Sequence, residues 1–344
     1  MDFDPNAAAA NPTNLYGLPD NREQALFHVL PVPFDATASF GKGTADGPAR
    51  TLEASQQVDL YDHRFGRVYE AGVCLHAEPE TARPLNEQAT RLTGPIIDLG
   101  GPQSTQHHAD ALRVTEMQRD LLDGVEDWVR SRLSARRLPI LLGGEHSLSV
   151  ASVRAVAERC PRLGVLQIDA HMDYRDAFEG FTHSHASVTR EIARLGGVER
   201  IVHAGIRDYC EEELDFARSL GDRSRVFFDA DLASRLLAGE PYHAWCDEIV
   251  ASLPEKVYIS FDIDGLDPTL CPATGTPVPG GLGFEQASVL LQTLAQSGRE
   301  IVGFDLVEIG DAAWDANVAA RVLYRLMGAT LRSRSGVKTA SRPG

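Results

Sequence analysis

Cysteine is scarce in this chain, and the five present, Cys74, Cys160, Cys210, Cys246 and Cys271, are an odd number with no close pair. That excludes a disulfide framework and argues against a thiolate zinc site, leaving five small core or surface residues in a reducing compartment. Positive charge is also short, since 33 Lys and Arg face 49 Asp and Glu for a net charge of −16. Such a surface repels nucleic acid and anionic membranes and attracts a cationic substrate. No run approaches the roughly 20 apolar residues of a membrane span. The opening Met1-Asp2-Phe3-Asp4-Pro5 lacks the basic and apolar segments of a secretory signal, so a cytoplasmic protein is expected.

What remains is ordinary globular material: 344 residues, 43% hydrophobic and 24% charged. Residues 1–24 are rich in Ala, Asn and Pro without periodicity and read as a loose arm or oligomer contact. Apolar runs at 27–32, 72–75, 138–142, 163–168, 201–204, 225–228, 256–261 and 300–306 read as strands. Helical spacing or capping marks 49–59, 105–136, 147–159, 187–195, 211–220, 242–252, 284–297 and 313–331. The stretch 77–102, broken by Pro79, Pro84 and Pro95, reads as an irregular surface excursion, and 332–344 as a basic, serine-rich, disordered tail. Strands alternating with helices predict one α/β domain over 25–331, a three-layer α/β/α sandwich around an eight-stranded parallel sheet.

Three of the strands end in metal-ligand side chains. Val165-Leu166-Gln167-Ile168 runs into Asp169, Ala170, His171, Met172 and Asp173, so that in an extended chain Asp169, His171 and Asp173 would leave one face together. Val257–Phe261 is followed by Asp262 and Asp264, and Leu138–Leu142 breaks into Gly143-Gly144 and delivers Glu145 and His146. Each stretch alone has a plainer reading, since acids after strands cap helices and Gly-Gly makes turns. Together the four Asp and two His are the donor set of hard divalent cations, and they predict a dinuclear site at the carboxyl edge of the sheet. The loop Phe34–Thr44 lies on that same edge, where loops line pockets. His107 and His108, opening a helix, are read as solvent-facing or oligomer contacts.

Gly143-Gly144-Glu145-His146-Ser147, Asp169-Ala170-His171-Met172-Asp173 and Ser260-Phe261-Asp262-Ile263-Asp264-Gly265-Leu266-Asp267-Pro268 resemble the three signature motifs of the ureohydrolase family of arginases and agmatinases. The resemblance implies the arginase-like fold and two divalent ions, usually manganese. His146, Asp169, Asp173 and Asp262 would hold one ion, and His171, Asp169, Asp262 and Asp264 the other, with Asp169 and Asp262 shared. Such a pair would activate water for attack on a guanidinium carbon, yielding urea and an amine. The resemblance also implies that Asp173 relays the proton to the departing amine and that Glu308 pairs with the guanidinium. His185 would shuttle protons or contact substrate, with His183 the competing candidate.

Glu145 stands where many members carry Asp, a position outside the metal set. The loop Tyr174-Arg175-Asp176-Ala177-Phe178-Glu179-Gly180-Phe181 is acidic and aromatic, where arginases carry the Asn- and Thr/Ser-rich grip on the α-carboxylate and α-amine of arginine. Agmatine is therefore the expected substrate. The alternative is free guanidine or another small guanidino or biguanide compound, with nickel as the ion. A non-catalytic partner subunit would be expected to lack a ligand, and a deacylase on a related fold would need one zinc. The family resemblance further implies a homo-oligomer, a trimer or hexamer.

Overall fold

The structure, a computed structural model, describes residues 3–340. Its eight strands are β1 Phe27–Val32, β2 Val73–Leu75, β3 Leu138–Gly143, β4 Leu163–Ile168, β5 Val198–Ile206, β6 Ser224–Phe228, β7 Lys256–Asp262 and β8 Glu300–Val307. They form one parallel sheet in the order β2-β1-β3-β8-β7-β4-β5-β6. The chain lays β1 to β3, leaps to β4, runs out to β6, then returns to fill the gap with β7 and β8. Parallel neighbours require long crossovers, and helices supply them. These are α1 Gly47–Ser55, α2 Ala82–Ile97, α3 Thr105–Ser134, α4 Ser149–Arg159, α5 Val188–Ala193, α6 Glu211–Ser219, α7 Asp229–Leu237, α8 Tyr242–Ala251, α9 Phe284–Gln296 and α10 Ala313–Ala340.

Because side chains alternate along a strand, each central strand feeds two cores. Ile140 and Leu142 of β3, with Leu166 and Ile168 of β4, pack beneath α7, α8, α9 and α10. Leu141, Leu163 and Val165 point the other way, against α2, α3, α4 and α5. The three layers are those predicted, and no helix among the described residues is long and apolar enough to cross a membrane.

The structure departs from the sequence reading in four places. The supposed excursion at 77–102 contains α2, which buries Ala82, Ala89, Thr93 and Ile96. Pro84 lies in its first turn, where no N–H is needed, and Pro95, inside the helix, forfeits only the bond to the Arg91 carbonyl two residues before the helix ends. Helix α7 follows β6 directly, although 229–237 was not read as helical. Helix α10 continues past 331, and the supposedly disordered tail bonds the sheet there: Ile301 N–H donates to Ser333 Oγ at 3.1 Å and Arg334 pairs with Glu300 at 2.7 Å. Residues 341–344 of that tail lie outside the described residues. The arm, finally, is anchored: Leu15, Tyr16 and Leu18 are buried, and Tyr16 Oη donates to the carbonyl of Ala320 at 3.0 Å.

Candidate metal centre

The tips of β3, β8, β7 and β4 are adjacent in the sheet, and each delivers polar side chains to one point. This is the position where ligands gather in open α/β sheets, since β3 and β4 send the chain in opposite directions across it. Strand β4 stops at Ile168, so Asp169, His171 and Asp173 sit on the loop beyond it. They do not share one strand face as the alternation predicted. Asp173 has φ of 55°, a left-handed backbone uncommon outside glycine, and this turns its carboxylate back toward His146. Glu308, just past β8, is left-handed too, with φ of 59°. Local strain of this kind collects at functional sites.

Two groups of ligand atoms result. Around His146 Nδ1 stand Asp169 Oδ2 at 3.1 Å, Asp173 Oδ2 at 3.1 Å and Asp262 Oδ2 at 3.3 Å. Around His171 Nδ1 stand Asp264 Oδ2 at 3.1 Å and Asp169 Oδ1 at 3.6 Å. Asp169 therefore serves both groups, one oxygen to each. His146, Asp169, Asp173, Asp262 and Asp264 are all buried, and His171 is partly open on the cleft side. Two glycines allow the approach. A Cβ on Gly144 would stand 2.0 Å from the carbonyl oxygen of Phe34, and one on Gly265 would stand 2.6 Å from the backbone nitrogen of Asp169.

A second ring of contacts fixes these groups. His146 Nε2 meets Ser260 Oγ at 2.9 Å, and that hydroxyl donates to Asp305 Oδ1 at 3.0 Å, so Nδ1 is the nitrogen turned to the carboxylates. Gln167 Nε2 donates to Asp169 Oδ2 at 2.7 Å and is itself held by Thr189. Glu308 Oε1 accepts from the His146 backbone N–H at 2.7 Å. Glu145, beside the centre rather than in it, accepts from the Thr37 backbone N–H at 2.9 Å and so ties the loop after β1 to the tip of β3. Two residues on, Ser39 N–H donates to His185 Nε2 at 3.3 Å, which leaves the His185 proton on Nδ1, 4.0 Å from Glu308 Oε1.

His171 and Asp173 open onto a cavity of about 230 Å³ that is also lined by Ser39, Phe178, His185, Asp208 and Thr276. Burial sets the charges here, and neighbours adjust them. Burial, reinforced by the Asp169 charge, raises the Asp173 carboxyl to about 7. Burial would depress His171, but the Asp264 carboxylate beside it and then Asp169 outweigh that and carry it up to about 12. His185 goes the other way, down to about 3, through burial and the neighbouring His171. Glu308 is raised well above the carboxylate range by burial and by Glu145. A cage that draws protons this strongly onto its imidazoles is short of cationic charge.

The arginase family model matches residues 25–330 of this chain. The chain belongs to the arginase family. It is 32% identical over 310 residues to the N(1)-aminopropylagmatine ureohydrolase of Synechocystis, covering 87% of each chain. To the agmatinase of Pyrococcus horikoshii it is 30% identical, over 90% of this chain and 94% of that one. The crystal structure of the agmatine ureohydrolase of Thermoplasma volcanium superposes with a TM-score of 0.70 at 26% identity, covering 95% of each chain. Proclavaminate amidino hydrolase from Streptomyces clavuligerus shares the fold, with a TM-score of 0.72 at 23% identity over 93% of this chain and 97% of that one. As an arginase-family hydrolase, the protein acts on the amidino C–N bonds of guanidino compounds.

Within this arginase-family site the structure brings all six predicted ligands together and separates the two loop histidines. His185 lines the cavity, whereas His183 turns aside to Glu191 at 2.9 Å. Glu308 is set deeper, behind His185. Sequence reading missed Asp208, whose exposed carboxylate stands 3.9 Å from His171 Nε2, and Thr276, whose hydroxyl donates to Asp264 Oδ2 at 3.3 Å. Asp208 follows β5, a strand whose tip carried no recognised motif. Thr276 lies in a loop with no strand-end signal at all.

Proposed function

We propose that this arginase-family chain hydrolyses agmatine to putrescine and urea with two divalent cations, manganese in the first place. The observation that carries the proposal is the double use of Asp169, whose two oxygens face two different imidazoles. Two neighbouring cations would need a shared carboxylate to offset their repulsion. The donor chemistry fits as well. His146 Nδ1 is buried and makes no well-formed hydrogen bond although three carboxylates surround it, the arrangement of a lone pair aimed at a cation. In this reading His146, Asp169, Asp173 and Asp262 hold one ion and His171, Asp169, Asp262 and Asp264 the other.

When bound, the pair lowers the pKa of water at the centre and polarises it for attack. The chain does the rest. Glu308, its carboxyl raised by burial and Glu145, ionises against an entering guanidinium and pairs with it as a planar charge partner. Asp173, whose carboxylate stands 3.1 Å from His146 Nδ1 and lines the cavity, is placed to take the proton from the attacking water and return it to the leaving amine. His185, neutral, presents Nδ1–H along the same wall and exchanges protons with solvent.

At the cavity mouth the exposed Asp208 favours a second positive group on the substrate. Arg175 is already matched, lying 4.6 Å over the Phe178 ring and 3.8 Å from Glu213 Oε2, so it offers little to a substrate carboxylate. The Pyrococcus relative, named agmatinase, supports agmatine, and the Synechocystis relative, named for N(1)-aminopropylagmatine, supports only a guanidino substrate of that wider class. Urea release from agmatine, N(1)-aminopropylagmatine, arginine, 4-guanidinobutyrate and guanidine, each with manganese and with nickel, tests it. Agmatine with manganese should give the highest kcat/KM. A preference for guanidine with nickel, or for a carboxylated substrate, would overturn the substrate assignment.

A further inference from the structure

Three groups of side chains among the described residues could hold a metal ion, and two of them meet at Asp169. The third is His28, Cys74 and His76. It lies at the other end of the sheet. His28 is the second residue of β1 and stands opposite Cys74 of β2 in the parallel register, so both side chains leave the same face. His76 follows two residues after Cys74, on that face again, and its backbone N–H donates to the Val29 carbonyl at 2.8 Å. The ligand atoms of the three all lie within 4.8 Å of one another, and Asp20 Oδ1 stands 3.7 Å from Cys74 Sγ.

We propose that His28, Cys74 and His76 form a structural site for one borderline-soft divalent cation such as zinc, and that the half-exposed Asp20, beside Cys74 and Arg22, swings in as the fourth donor. Cys74 is fully buried and His28 is 3% exposed, so two of the donors are desolvated before any ion arrives. His28 Nδ1 and His76 Nε2 face each other at 2.8 Å, where one ring must supply a proton for the other to accept. An ion in place of that proton satisfies both lone pairs. A tetrahedral ion with bonds of about 2.0–2.3 Å keeps its ligand atoms roughly 3.5 Å apart, a small adjustment from the spacing present.

The donor set selects the ion. A thiolate and two imidazoles suit zinc and disfavour manganese, which prefers oxygen. Charge agrees, because Arg22 and Arg132 lie close enough to act on the cluster electrostatically. Beside two guanidinium groups a bare dication would be repelled, but one thiolate and one carboxylate make the loaded site neutral. Trp128 of α3 packs edge-on against His76, with ring centroids 5.1 Å apart, and walls the site from the helical layer. Its effect would be to clip β2, an edge strand of only three residues, and the arm at Asp20 onto β1. Separation along the chain hid this group: His28 and His76 are far apart in sequence, and no second cysteine marks the site.

Cobalt reads this site alone, since only a thiolate ligand gives a sulfur-to-cobalt charge-transfer band in the near ultraviolet, and the arginase-family centre has no sulfur. The full-length metal-free chain titrated with Co²⁺ should develop that band to one equivalent per chain. It should persist in Asp264→Ala, vanish in Cys74→Ser and weaken in the milder His76→Gln. Circular dichroism shows that each variant is folded. Absence of the band in the wild-type chain, or its survival in Cys74→Ser, overturns the proposal.

Discussion

At the residue scale the proposed chemistry turns on two acids held in left-handed backbone, Asp173 and Glu308. Glu308→Gln keeps the acceptor for the His146 N–H and removes only the charge offered to a guanidinium. A charge-assisted hydrogen bond contributes about 1.5–3 kcal/mol, roughly 10- to 100-fold in affinity, so KM should rise by that factor with kcat much less changed. A fall in kcat at constant KM would instead place Glu308 in the chemical step. Asp262→Ala should remove urea release and reduce bound manganese together; unchanged turnover would refute the dinuclear reading. The pH dependence has a definite sign. Metal must displace protons from a cage that holds Asp173 at about 7 and His171 at about 12, so apparent manganese affinity rises with pH through neutrality, and loading an unbuffered sample releases protons. At this scale the six candidate ligands were legible because each follows a strand with a strong apolar pattern. Their exact delivery was not: Asp169, His171 and Asp173 lie on the loop beyond β4 rather than on one extended face, and a positive φ, invisible to periodicity, aims Asp173.

At the scale of elements, strand positions were legible and two helices were not. A run of buried apolar residues between turn formers leaves little choice in a parallel sheet. Helix α2 was obscured by its prolines: Pro84 sits in the first turn, where the missing N–H costs little, and Pro95 so near the end that the helix loses a single bond before it stops. That difference is measurable at Ile96, which is fully buried on the inner face of α2 but would be exposed on a surface excursion. Ile96→Ala should lower stability by about 2–5 kcal/mol. The readout is a lower urea midpoint with unchanged slope, while activity per folded molecule stays constant. A change within about 0.5 kcal/mol, usual for surface sites, would mean that the helix does not pack as described.

For the whole molecule, order in the sheet predicts that metal binding and stability are linked. Strands β7 and β8 enter last, between β3 and β4, and the ligands from β3, β4 and β7 close over that late-filled gap. Empty of cations, the centre crowds Asp169, Asp173, Asp262 and Asp264 in a buried space, and burial with like charges nearby drives the Asp262 carboxyl well above its ordinary range. A cation that binds only the folded chain stabilises it by RT ln(1 + [L]/Kd), about 2.7 kcal/mol at one hundred times Kd. Stripping the protein with chelator should therefore lower its melting temperature, and manganese should restore it. Asp262→Ala separates this from other metal effects: losing a shared ligand, it should show little response to manganese. An equal manganese response in that variant would mean that the stabilising ion binds elsewhere than at the tips of β3, β4 and β7.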